Sequence, residues 1–185
     1  MNLLDLIMNE SNSQVVGQLA KRAGVSENEI SNILEQVVPA VSSGMKAKMS
    51  DETGLSSILD ILKQKQPERY IEKPEVIEND DSVIDDGNSI LAEIFGNKET
   101  SREVASRVAT KAGTSSGVVK MLLPIVASLA MGALSKRGNA AQAAPVSTQA
   151  SQSSGMMGMV IDFIDADDDG SIVDDLFTMA ARRFF

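Results

Sequence analysis

The chain has 185 residues and a formal net charge of −9, with no cysteine and no histidine. That length can bury a core in one compact domain or two small ones, and the missing residues exclude thiol nucleophiles, thiolate metal sites, disulfides and the Ser-His and Cys-His dyads. The acid excess disfavours nucleic acid and anionic lipid as partners, and 3% aromatic residues with ten methionines imply a helical core of Leu, Ile, Val, Ala and Met.

At the N-terminus, Leu3, Leu4, Leu6 and Ile7 surround Asp5, an acid where a secretory signal carries bases. The expectation is an ordinary first helix and a cytoplasmic protein. Over 14–23, Val15, Val16, Leu19, Ala20 and Ala23 recur at helical spacing before Gly24, which stops the helix. Ser26 and Glu29 form a capping box for the next helix, whose stripe is Ile30, Ile33, Leu34, Val37, Val41 and Met45. Pro39 predicts a kink or break within it. A shorter helix over 55–65 follows, with Leu55, Ile58, Leu59 and Leu62 inward.

The chain then turns polar, and Pro67, Pro74 and the acids Glu78, Asp80, Asp81, Asp85 and Asp86 predict a linker over 66–87. Beyond it the earlier pattern returns. Ile90, Leu91, Ile94 and Phe95 mirror the first apolar cluster, Thr100 and Glu103 form a second capping box, and Val104, Ala105, Val108, Ala109 and Ala112 lead to Gly113. Thr114 or Ser115 then caps a long apolar helix through Val119, Leu122, Leu123, Val126 and Leu129, interrupted by Pro124. The prolines differ in distance from their glycines by about one helical turn, which keeps the same face inward. This is an internal duplication. The longest uncharged apolar run, 121–135, falls short of the roughly 18 residues of a membrane span, so a buried central helix is expected and no span.

The predicted fold class is all-α: a multihelical bundle from two related helical units, with a helix-loop-helix-like acidic tail at the C-terminus. The expected organisation is a first unit at 1–65, the acidic linker at 66–87, a second unit at 88–137, an uncharged Ala/Gln/Ser linker at 138–155 and an Asp-rich tail at 156–185.

The tail holds the sharpest motif, DADDDGSIVDD at 165–175. Asp165, Asp167 and Asp169 at loop positions 1, 3 and 5, with Gly170 at position 6, form a calcium-loop pattern, because alternating carboxylates converge on one ion and the glycine permits the turn. Ser171 completes the first half. Leu176 stands where a bidentate Glu is expected, so Asp174 or Asp175 would close the site. Calcium is therefore the cofactor expected, against a solvated acidic turn whose last aspartates complement the positive end of a following helix.

A second motif spans the Gly24 corner, whose two helices pack as in a helix-turn-helix. Lys21 and Arg22 would reach phosphate there, with Asn28, Ser31 and Asn32 as the base readers, although Glu27, Glu29 and Glu35 oppose binding. The bland alternative is a helix corner in a bundle. The pairs Lys21 with Arg22, Lys136 with Arg137 and Arg182 with Arg183 read as complements of helix C-terminal dipoles. Met156, Met157 and Met159, and the terminal Phe184 and Phe185, read as apolar groups that dock on the helical body or a neighbouring subunit.

The motifs SILAEIFG at 89–96, AGTSSGVVKMLLPI at 112–125 and MGAL at 131–134 resemble the YidB-like bacterial family, domain of unknown function 937. The tail's Asp-Gly-Ser followed by paired aspartates is similar to the tail of many of its members. The resemblance implies a multihelical fold without an assigned activity and supplies no catalytic residues; it also makes leucine after the paired aspartates familiar. The functional expectation is a non-catalytic helical interaction or assembly protein, with a protein partner or a second copy of itself, and calcium in the tail. The alternative is a helix-turn-helix DNA binder.

Overall fold

The computed structural model describes residues 13–50 and 52–143, and its eight helices run without a strand among the described residues. They are α1 (Ser13–Ala23), α2 (Glu27–Met49), α3 (Glu52–Lys65), the single turns α4 (Arg69–Glu72) and α5 (Val76–Asn79), α6 (Ser82–Phe95), α7 (Lys98–Ala112) and α8 (Ser116–Ala143).

The long apolar run dictates the arrangement. From Leu122 to Leu134 every residue of α8 is buried, on all sides of the helix, which marks a central element rather than a surface one. α1, α2, α3, α4, α6 and α7 all pack against it. One continuous cluster of buried side chains runs from Val15 to Leu134, so both halves of the chain share a core. By length and composition alone Ser116–Lys136 is long and apolar enough to cross a membrane, which corrects the expectation that this stretch falls short; 78% of its apolar window is buried inside the bundle, as in the core helix of a helical body.

Two similar corners organise the halves. Gly24 and Gly113 both adopt φ of 68°, the left-handed conformation that ends a helix without a Cβ penalty. The Val25 N–H then bonds the Ala20 carbonyl at 3.1 Å, and the Thr114 N–H bonds that of Ala109 at 3.0 Å. Ser26 accepts from the Glu29 N–H at 3.2 Å, and Ser115 from the Val118 N–H at 3.2 Å. The corners also meet, because the Thr114 hydroxyl donates to the Glu29 carboxylate at 2.6 Å. Glu29 thus reaches across to the other corner, and the first capping box is half-formed.

Several local expectations are corrected. α7 begins at Lys98, with Asn97 as its cap accepting from the Thr100 N–H at 2.8 Å; Glu103 pairs with Arg107 instead of closing a box. Both α2 and α8 run unbroken through their prolines, because burial on neighbouring helices holds the flanking turns. α8 continues to Ala143, so Lys136 and Arg137 are not at its end and the helix enters the stretch read as an uncharged linker. In α3 the buried residues are Gly54 and Ile58, with Leu55, Ile61 and Leu62 half-buried against the core.

The polar stretch 66–87 is packed, not loose. α4 and α5 bury Tyr70, Ile71 and Ile77 in the common core, and α6 already starts at Ser82 with Val83 buried. Its acids stay on the surface except one, Asp86.

Candidate functional site

Asp86 sits on the apolar face of α6, three residues after Val83 and four before Ile90, and only 8% of its side chain is exposed. Its Oδ1 faces the Lys65 ammonium at 2.9 Å; its Oδ2 accepts from the Tyr70 hydroxyl at 2.7 Å and from the Arg69 guanidinium at 2.9 Å. Arg69 also donates to the Tyr70 oxygen at 2.5 Å and lies over that ring, 4.7 Å from its centre. Burial pushes the Tyr70 phenol above its ordinary value, against the opposing hydrogen bond from Ser82. The hydrogen bond to Tyr70 raises the Arg69 guanidinium. Every charge here has its partner, and the cluster ties α3, α4 and α6 together as a closed pin.

The next residue leads to a different kind of site. Gly87 lets the backbone of Pro124 approach so closely that a Cβ at 87 would overlap the Pro124 carbonyl. Where α6, α7 and α8 converge beyond that contact, a groove of about 330 Å³ opens. Leu91, Leu123 and Pro124 form its apolar part, Asn88, Asn97 and Ser101 supply neutral polar groups, and Lys98, Arg102 and Lys120 supply three cations. Lys98 and Lys120 make no ion pair with another described residue; Arg102 has only an exposed pair with Glu99 at 3.8 Å, one helical turn away. The first turn of α7 ends at the groove and adds the positive end of its dipole. Pro124 has no N–H to offer the Lys120 carbonyl, so a backbone acceptor in this wall lacks its helical donor. The arrangement suits an anionic group held over an apolar floor.

None of the residues of the DNA-binding alternative lines this groove. Arg22 is turned inward, with 10% of its side chain exposed: it donates to the carbonyls of Ile77, Asp80 and Glu78 at 2.6, 3.2 and 3.4 Å and to the Asp81 carboxylate at 2.5 Å. It closes the end of α5 rather than that of its own helix. Lys21 is exposed and pairs with Glu78 at 3.7 Å. Asn28 and Asn32 are exposed, and the Ser31 hydroxyl is occupied by the Glu27 carbonyl at 3.0 Å. Nearby, the backbone hydrogen bond from Ser82 holds the Asp80 carboxyl below the usual carboxylate range. The calcium-loop residues Asp165, Asp167, Asp169, Ser171, Asp174 and Asp175, the methionines at 156–159 and the terminal phenylalanines lie outside the described residues. No group of three or more potential metal ligands occurs among the described residues.

Sequence reasoning passed over both sites. Asp86 carried a readable signal, an acid at helical spacing within the stripe of Val83, Ile90, Leu91 and Ile94, hidden by the acidic run around it. Lys98 and Arg102 carried the i,i+4 spacing of one helix face, but Lys120 joins them only through the packing of α8.

Fold and groove together define a helical bundle with a basic-lipped apolar cleft. The chain belongs to the family described as bacterial protein of unknown function, domain of unknown function 937, whose sequence profile matches residues 5–137. The match takes in α1 and α2 as well as the second half, where the resembling motifs stand, and it ends before the Asp-rich tail. Neither a curated protein nor a solved structure matches the chain.

Proposed function

We infer that this protein is a non-catalytic helical interaction protein whose groove between α6, α7 and α8 binds an acidic, partly apolar peptide segment of a protein partner. The supporting observation is the convergence of Lys98, Arg102 and Lys120 on an apolar floor in a chain of net charge −9. Cations gathered against the average sign of a molecule create a local field that selects anionic ligands, and the floor of Leu91, Leu123 and Pro124 selects those with aliphatic side chains. A peptide of aspartate and leucine meets both demands.

The test is a nuclear magnetic resonance titration of the full chain with an Asp/Leu decapeptide, against a Lys/Leu decapeptide of the same pattern. The acidic peptide is expected to shift the amides of Asn88, Ala92, Ser101 and Lys120, and the triple variant Lys98→Glu, Arg102→Glu, Lys120→Glu to abolish the effect. Equal shifts with the basic peptide, or none at the groove, would overturn the assignment. The calcium reading of the tail rests on its loop pattern; calorimetric titration should give heat with the parent and none with Asp165→Ala, Asp167→Ala. The committed position of Arg22 favours the helix-corner reading of 18–34 over a DNA-reading one.

A further inference from the structure

We propose that the groove is occupied by the chain's own C-terminal segment, residues 160–177, so that the protein masks its binding site until a partner displaces the tail. This rests on the groove reading above and names one occupant for it. Charge complementarity carries it first. Seven of the 26 acidic residues fall within 160–177, namely Asp162, Asp165, Asp167, Asp168, Asp169, Asp174 and Asp175, with no cation among them. They are interleaved with Ile161, Phe163, Ile164, Ile172, Val173 and Leu176. That is the mixture of anion and aliphatic side chain that Lys98, Arg102 and Lys120 over Leu91, Leu123 and Pro124 select.

Reach carries it second. The described chain ends with α8 at Ala143, about 30 Å along the helix from Leu123 at 1.5 Å per residue. Residues 144–159 are uncharged and, fully extended, cover up to about 50 Å, enough to return the acidic segment to the groove. A tether of that length keeps the segment at an effective concentration in the millimolar range, so a contact too weak to hold between separate molecules is occupied within one.

The absence of cysteine makes the test direct. A nitroxide on Ser171→Cys in the full chain is expected to broaden the amides of Ala92, Ser101 and Lys120 at low ionic strength, with at least about half their intensity lost. Replacing Asp167, Asp168 and Asp169 by Asn should restore that intensity and let the Asp/Leu decapeptide bind about tenfold tighter, because the groove no longer has to be vacated first. Unbroadened groove amides, or broadening that survives the Asn substitutions, would overturn the proposal. So would undiminished broadening between spin-labelled unenriched chains and unlabelled nitrogen-15 chains, since the occupant would then be a second copy's tail. If the decapeptide still shifts the groove amides while the nitroxide leaves them untouched, the tail proposal alone fails; if neither acts there, the groove reading fails with it.

Discussion

Asp86 and Lys120 stand on neighbouring helices and belong to opposite kinds of polar site. Asp86 is buried, and its carboxylate oxygens are taken by Lys65, Arg69 and Tyr70. Lys120 is exposed at a groove shared with Lys98, which like it has no ion pair with another described residue, and with Arg102, whose pair with Glu99 at 3.8 Å is open to solvent. A closed set of charges confers rigidity, because each group has exchanged water for a protein partner and any loss leaves a group stranded. An open set of like charges confers little stability and keeps its interaction energy for a ligand. The pin therefore holds the fold, the groove is the binding site proposed above, and four changes probe that division.

Asp86→Ala should have the largest effect. It takes the 2.7 Å acceptor from the buried Tyr70 hydroxyl, leaving the longer 3.3 Å contact with Ser82, and removes the partner of two cations that can still reach water, so a loss of about 3 kcal/mol is expected in urea unfolding followed by circular dichroism. A change below about 1 kcal/mol would show that the cluster does not pin α3 and α4 to α6. Gly87→Ala comes next, because it lies between the two sites: the new Cβ meets backbone at Pro124, which cannot rotate away, and about 2 kcal/mol should be lost. Since Pro124 also lines the groove, the same variant should shift the Ala92 and Lys120 amides, which links the two regions mechanically.

The third effect depends on pH. Burial raises the Tyr70 phenol above its unfolded value of 10.0, so the folded state holds that proton more tightly. The corresponding stability is fully present below pH 10 and is lost as pH rises through the folded value; a decline of stability above pH 10 is expected in the parent, and Tyr70→Phe should flatten it. A parallel slope in both proteins would remove Tyr70 as its source. The smallest effect on stability belongs to the triple groove variant Lys98→Glu, Arg102→Glu, Lys120→Glu, which should stay within about 0.5 kcal/mol of the parent. Acidic peptide binding should nevertheless fall at least tenfold.

Much of the fold is legible in the sequence. The stripes of Ile30, Ile33, Leu34 and Val37 and of Val104, Ala105, Val108 and Ala109 are buried as their spacing implies, and Gly24 and Gly113 end their helices with positive φ. The stretch 66–87 was not legible, because a four-residue helix is too short to display a period. Tyr70 and Ile77 are held by burial against partners distant in sequence. Arg22 misled for a similar reason: beside Lys21 it reads as a charge at the end of its own helix, whereas its partners lie in α5 and in the two residues that follow it, 55 to 59 residues on.

What the sequence by itself determined was local. Helical period, glycine stops, serine caps and the exclusion of histidine and cysteine chemistry follow from residue type and spacing, since each depends on atoms within a turn or two of the backbone. Only the tertiary structure decided that Asp86 is enclosed while Lys98, Arg102 and Lys120 share one open groove. Those outcomes depend on which helices become neighbours, and the close approach of Gly87 to Pro124 is a contact between segments that no local period encodes.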